Sequence, residues 1–289
     1  MIVSQKKILK IARKKKFGVG AYNTSNLEIT QAILSASVKS KAPVIIATSE
    51  KAIDYFGGED NAATLINALS KKVNIPVSLH LDHSKSFERV KECISAGYGS
   101  VMIDASRLSF KDNIALTKKV VTYAHKRGVQ VEGELGTIGG KEDYVKGGKL
   151  ILAEPKDATV FVKRTGIDSL AAAVGTAHGT AAAVTIKEKI DFPRLIAISK
   201  VVSIPLVLHG ASEGIPDKDI RKAITFGIAK INIDTNLRVA FTKDVRLFLI
   251  KNKKAYDPRA IITAGRDAIE KTVTKKIKLF NTQNKSRIV

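Results

Sequence analysis

The stretch “PVSLHLDHSKSFERVKECISAGYGSVMID”, residues 76–104, holds one full turn of a repeating pattern. It opens on proline, whose missing backbone donor is tolerated at the start of a strand. An apolar, strand-like run (76–82) follows and ends on a polar cluster: Asp82 and His83 side by side, with His80 three residues back from His83. Next comes “SFERVKECISAG” (86–97), whose apolar residues recur at helical spacing and which stops at Gly97, a common helix-ending residue. A second apolar run, “SVMID” (100–104), ends on another acid, Asp104. Strand, helix and strand in so short a span predict a βαβ unit and a parallel sheet.

The same alternation runs outward through the chain. Strand-like runs precede the unit at “FGVGAYN” (17–23) and “PVIIATS” (43–49). They follow it at “VQVEGEL” (129–135), “SLAAAVG” (169–175), “PLVLHGA” (205–211) and “IAKINID” (228–234). Helical segments such as “NIALTKKVVTYAHKRG” (113–128) and “DKDIRKAITFG” (217–227) lie between, stopping at Gly128 and Gly227. Pro43, Pro76 and Pro205 each open a strand. Eight strands alternating with helices predict an α/β fold, a (β/α)8 TIM barrel. The expected organisation is one catalytic domain over 1–289 with a C-terminal helical extension from about 255. An open doubly wound sheet is the alternative, and no glycine-rich fingerprint follows the first strand to favour it.

Composition narrows the class. The chain is 44% hydrophobic, enough for a large buried core. No apolar run approaches the roughly 20 residues that cross a bilayer, and the opening “MIVSQKKILKIARKKKFG” has no hydrophobic centre, so neither a membrane nor export is expected. One cysteine, Cys93, forms no intrachain disulfide, and a reducing cytoplasm is the simplest location. The net charge of +22 raises the question of a nucleic-acid or anionic-surface partner. Its positives are scattered, with no block beyond “RKKK” (13–16), no tryptophan and no interleaved aromatics. Solvated lysines on outer helices are the plainer reading, and nucleic acid is not expected as a partner.

Barrel active sites form where strands end. Here those ends carry Asn23, Ser49, Asp82 with His83, Asp104, Glu134, His178, His209, and Asn232 with Asp234. Eight strands thus deliver polar groups to one face. Of five histidines, His83, His178 and His209 stand at or just past strand ends, and three imidazoles with an open fourth position suit a catalytic zinc. Any one of them alone is as well read as a hydrogen-bonded rim residue. His80 shares strand parity with Asp82 and is expected to point into the barrel as a structural group; His125, in “TYAHKRG”, is expected on the surface. Asp82, beside a ligand, is placed for general acid–base work, while a metal polarises a carbonyl and stabilises the enediolate formed next to it. “HGAS” (209–212) and “NIDT” (232–235) follow strands seven and eight, the usual phosphate cradles of barrels.

With these residues in hand, the chain resembles the class II, metal-dependent fructose-bisphosphate aldolases from about Lys6 to about Lys271. The motifs that carry the resemblance are “HLDH” (80–83), “SVMIDAS” (100–106), “VEGELGTIGGKED” (131–143), “VGTAHG” (174–179), “PLVLHG” (205–210), “KINIDT” (230–235) and “DPR” (257–259). The resemblance implies reversible cleavage of fructose 1,6-bisphosphate to dihydroxyacetone phosphate and glyceraldehyde 3-phosphate. It gives the catalytic Zn2+ to His83, His178 and His209, and a displaced or second divalent ion to Asp104 and Glu134, with a monovalent cation as a further candidate. Asp82 would exchange a proton with the C4 oxygen, and Glu142, in the loop after the fifth strand, would move the proton on dihydroxyacetone phosphate. Asn23, Ser49, Gly179, Gly210, Ala211, Ser212, Asn232, Ile233, Asp234 and Thr235 would contact substrate. Arg259 would reach a phosphate in a neighbouring subunit, so a homodimer or homotetramer is implied. No strand-end lysine offers a Schiff base, since Lys230 lies inside the eighth run.

The chain departs from the family pattern at Lys51 and Ser84, where glycine is usual, and over “TAAAVT” (180–185), which lacks the usual tyrosine and basic residue. Ala211 replaces a glycine and Glu213 is an extra residue. These departures touch phosphate loops, not the proposed zinc ligands. They keep three alternatives in view: tagatose 1,6-bisphosphate as substrate, a basic nucleic-acid- or surface-binding protein on a retired barrel, and a metal-dependent hydrolase. The first differs only at C4 stereochemistry. The second predicts decay of the catalytic positions, which all stand. The third usually draws on a His-x-His pair, which the chain lacks.

Overall fold

The computed structural model describes residues 2–140, 150–178, 189–211 and 214–288. Eight parallel strands close a barrel: β1 (Val19–Asn23), β2 (Val44–Ser49), β3 (Val77–Ser84), β4 (Ser100–Ile103), β5 (Gln130–Leu135), β6 (Ser169–Ala172), β7 (Leu206–Leu208) and β8 (Ile228–Ile233). Each pairs with its sequence neighbours, and β1 pairs with β8 to complete the circle. The predicted runs lie on these strands, but several strands stop early. β6 ends at Ala172, three residues before the run does, and β7 ends at Leu208, so His209 stands just past it. β3 instead runs on through His83 to Ser84.

Alternation along the strands divides the core. Val77, Leu79 and Leu81 of β3 face outward into the main apolar cluster beneath the helices, as do Ile231 and Ile233 of β8. The opposite parity, His80 and Asp82 on β3, Glu132 and Glu134 on β5, Lys230 and Asn232 on β8, is buried inside the barrel. A small separate cluster of Met102, Ala171 and Val207 fills the interior beside them. The base is closed by the helix Gln5–Lys15, whose Ile8, Leu9 and Ala12 pack on Val19, Ala21, Ile45 and Ala229. The C-terminal helix Pro258–Leu279 lies against Leu27–Lys39 and Thr235–Lys251.

Asp168, just before β6, ties this base together. Its carboxylate accepts from the Val131 amide at 2.9 Å and from His125 Nε2 at 2.8 Å, and Lys6 of the base helix pairs with it at 2.7 Å. His125 lies on the surface, as expected, and pairs there with Asp168. Burial disfavours the charge on Asp168, but Lys6, the Val131 amide and His125 outweigh it and hold the carboxyl below its ordinary value. Asp168→Ala leaves the buried amide of Val131 without its acceptor, an expected cost of about 1–3 kcal/mol at neutral pH. A depressed folded value means the contribution is present above the unfolded value of about 4 and is lost as pH falls through the folded one. Urea unfolding of both proteins at pH 7 and near pH 4 checks this; a gap that widens on acidification overturns it.

Candidate active site

β3 delivers two neighbouring side chains to one mouth, which plain strand alternation forbids. The backbone resolves this. His83 takes a left-handed conformation, φ 48°, and the β3–β4 register shifts between Leu81 and Ser84. Such irregularities re-aim side chains beside active sites. Asp82 consequently meets β1 and β8, while His83 meets β4, β5 and His209.

Asp82 is buried and held by two amides. Asn23 Nδ2 donates to its Oδ2 at 3.0 Å and Asn232 Nδ2 to its Oδ1 at 2.8 Å. Because a carboxylate only accepts, both amides are oriented, and Asn23 Oδ1 and Asn232 Oδ1 are left buried with no hydrogen-bond partner among the described residues. Burial works against the charge on Asp82, but His83, His209 and Lys230 outweigh it and hold the carboxyl far below its ordinary value. The result is an ionised carboxylate, fixed at both ends, at the mouth of a barrel.

The two imidazoles meet edge to face, with His209 Nδ1 2.8 Å from His83 Nε2. Each turns its other nitrogen to carboxylates. His83 Nδ1 lies 3.4 Å from Asp104 and 3.7 Å from Glu134, and His209 Nε2 lies 2.9 Å from Glu132. Both rings therefore donate outward and point lone pairs at each other, which two nitrogens this close tolerate only with a proton or cation between them. Burial lowers His83, but Asp82, Asp104 and Glu134 outweigh it and push it up to about 10. Burial and then the charge of His83 push His209 down to about 4. Glu134 is raised well above the carboxylate range by burial and by Asp104, and its Oε2 accepts no hydrogen bond from the described residues. Glu132 is held low despite burial, by Lys230 and His209.

This donor set fits a divalent ion. One ligand atom each from Asp82, His83 and His209 lie within 4.8 Å of one another, and so do one each from His83, Asp104 and Glu134. Imidazole nitrogens backed by carboxylates are the usual arrangement at such centres. The geometry also admits Asp82 as a donor, besides the proton-carrying role its sequence position suggests.

The third histidine is placed by its backbone. Ala177–His178 forms a short parallel pair with Gly139–Gly140. Gly210, φ +65°, packs its α-carbon so closely on the Ala177 backbone that a Cβ has no room, bringing the segments bearing His178 and His209 into contact. The His178 side chain, Glu142, Gly179 and Ser212 lie outside the described residues.

The other expected contacts differ in kind. Ala211 is buried behind the mouth, and Ile233 faces the outer core, so only its backbone is available to a ligand. Ser49 caps the helix Glu50–Phe56 by accepting from the Ala52 amide. Asp234 accepts from Arg238 Nε at 2.7 Å at the start of Thr235–Lys251. Ser84, at a family-glycine position, donates to Glu50 at 2.9 Å. Arg259 is almost wholly exposed and paired at 2.8 Å with Asp257, the residue that caps its helix. Strand ends alone do not point to the buried pair Glu132 and Lys230, although the parity of “VEGE” and “KIN” marks both as facing inward with Glu134 and Asn232.

Known proteins share this arrangement of elements and sequence. The sequence profile of class-II fructose-bisphosphate aldolases matches residues 3–285. A fructose-bisphosphate aldolase of Staphylococcus aureus strain Mu50 is 48% identical over 288 residues, 99% of each chain. One from Geobacillus stearothermophilus is 47% identical over 287 residues, again 99% of each. Among solved structures, the YdjI aldolase of Escherichia coli K12 superposes with a TM-score of 0.85 at 31% identity, covering 99% of this chain and 100% of that one. The fructose-bisphosphate aldolase of Campylobacter jejuni gives 0.85 at 26% identity over 98% and 96%.

Proposed function

The chain belongs to the class II fructose-bisphosphate aldolase family, a metal-dependent family, and on that premise we propose that it reversibly cleaves fructose 1,6-bisphosphate to dihydroxyacetone phosphate and glyceraldehyde 3-phosphate, using zinc. One observation carries the reading beyond membership: an ionised Asp82, clamped by Asn23 and Asn232, beside the converging nitrogens of His83 and His209.

In this reading His83, His178 and His209 hold the zinc, and Asp104 with Glu134 forms an alternative or second cation position. The ion supplies Lewis-acid polarisation of the substrate carbonyl. Asp82 exchanges the proton of the C4 hydroxyl, for which it is already ionised and immobilised. Asn23 and Asn232 fix Asp82 with their amide nitrogens and offer their free carbonyl oxygens to substrate hydroxyls. Glu142 moves the second proton. Gly179, Gly210, Ala211, Ser212 and the 232–235 stretch bind phosphate and hydroxyls, chiefly through backbone.

We read residues 1–289 as one catalytic domain acting in the cytoplasm. No helix among the described residues is long and apolar enough to cross a membrane. A homodimer or larger assembly is supported by the helix Thr235–Lys251, which exposes Val239, Leu247, Leu249 and Ile250. Its neighbour, the exposed Arg259, is then available to another subunit.

Cleavage of fructose 1,6-bisphosphate, coupled to triose-phosphate detection, tests the whole reading. Chelation is expected to lower the rate by about a thousandfold or more, since Lewis-acid stabilisation is worth several kcal/mol, and zinc is expected to restore it. Chelator-insensitive cleavage sinks the metal route. Faster turnover of tagatose 1,6-bisphosphate reassigns the sugar and leaves the chemistry standing.

A further inference from the structure

Beneath the mouth a line of buried side chains crosses the barrel. Ser100 Oγ on β4 lies 2.9 Å from His80 Nδ1 on β3, and His80 Nε2 lies 3.0 Å from Lys230 Nζ on β8. Lys230 Nζ donates to Glu132 Oε2 on β5 at 2.8 Å, and Ser169 on β6 adds a longer bond to the same oxygen at 3.4 Å. The other carboxylate oxygen, Glu132 Oε1, lies 2.9 Å from His209 Nε2. The side chains of Glu132, Lys230 and His209 have no solvent exposure.

Donor and acceptor roles along this line are fixed one by one. An ammonium only donates, so His80 Nε2 accepts and its Nδ1 carries the proton toward Ser100. A carboxylate only accepts, so His209 donates from Nε2 and keeps its lone pair on Nδ1, the nitrogen facing His83. The tautomer and ring plane of a mouth residue are thus set by a chain of contacts reaching across the barrel.

A purely structural need does not explain such a line. Barrel interiors are ordinarily filled by branched apolar side chains. A buried ion pair can often be exchanged for apolar residues of similar volume at no cost or with a gain in stability. Here the pair ends on one nitrogen of a residue whose other nitrogen faces the proposed metal. We infer that Glu132 and Lys230 are positioning residues for that centre: Glu132 orients His209, and Lys230 locks Glu132 so that it stays behind His209 and does not become a ligand. This rests on the metal reading given above.

The test uses the full chain and reads zinc affinity by competition with a chromogenic chelator, together with the visible spectrum of the cobalt-loaded protein. Glu132→Gln and Lys230→Met are each expected to weaken zinc binding by about 10–100-fold and to shift the cobalt bands. The double variant is expected to lie close to Glu132→Gln alone, because Lys230 reaches His209 chiefly through its bond to Glu132. Thermal unfolding of the chelated proteins separates positioning from folding. If Lys230→Met does not fold, the near-isosteric Glu132→Gln carries the test. Zinc affinity within twofold of wild type and unchanged cobalt bands overturn the inference, as do independent, additive losses. A wild-type chain that binds neither zinc nor cobalt overturns the metal reading as well, a different and recognisable failure.

Discussion

Asp82→Asn is expected to lower the turnover of fructose 1,6-bisphosphate by about two to four orders of magnitude, with KM and zinc content close to wild type. The substitution keeps the shape of the side chain and removes its ability to take a proton. It also replaces one accepting oxygen by an amide nitrogen, which cannot accept from Asn23 or Asn232, so one of the two clamps is lost. That loss costs on the order of 1 kcal/mol of stability, far less than the chemical effect. The measurement also decides between the two roles the geometry allows, because Asp82 converges with His83 and His209 on a possible ion position. Turnover lost with zinc retained makes it the proton carrier. Zinc lost in parallel makes it a ligand, and the acid–base assignment falls.

The barrel was legible because parallel strands are buried on both faces and read as short apolar runs between periodic helices. The ends of those runs were less legible. β6 and β7 stop at Ala172 and Leu208 because pairing stops there, while apolar residues continue into the mouth. The site was legible as a set of residue types at strand ends, and less so as contacts. A serine closing a strand before a helix is equally a polar group for a ligand and a helix cap, and Ser49 is engaged as the cap. Glu132 hid behind Glu134: an acid within a strand, not at its end, looks structural until its partner across the barrel is known. Lys230, inside its strand, shows no partner in the sequence, and its contact with Glu132 joins residues 98 positions apart, a distance no local pattern spans. Nor does the sequence signal the turn at His83, since glycine is the residue that announces a left-handed conformation and none stands there.

That backbone position decides how the metal assignment is best tested. His83→Asn is expected to weaken zinc binding by more than the roughly 10–100-fold that outer-shell changes give, and to lower cleavage by about three orders of magnitude or more. Alanine is the poorer probe. A left-handed conformation costs an ordinary residue about 1–2 kcal/mol, so alanine removes the ligand and strains the turn that aims Asp82 beside it. Asparagine visits that region readily, so the register shift between β3 and β4 is preserved and the change is confined to the lost nitrogen. Asp104 and Glu134 face the lost nitrogen at 3.4 and 3.7 Å, so the substitution also removes their imidazole partner. Zinc titration and cleavage kinetics on the same preparation read both effects. Retained zinc with retained cleavage would place the working ion away from His83 altogether, because each of the two donor groups found among the described residues contains this imidazole.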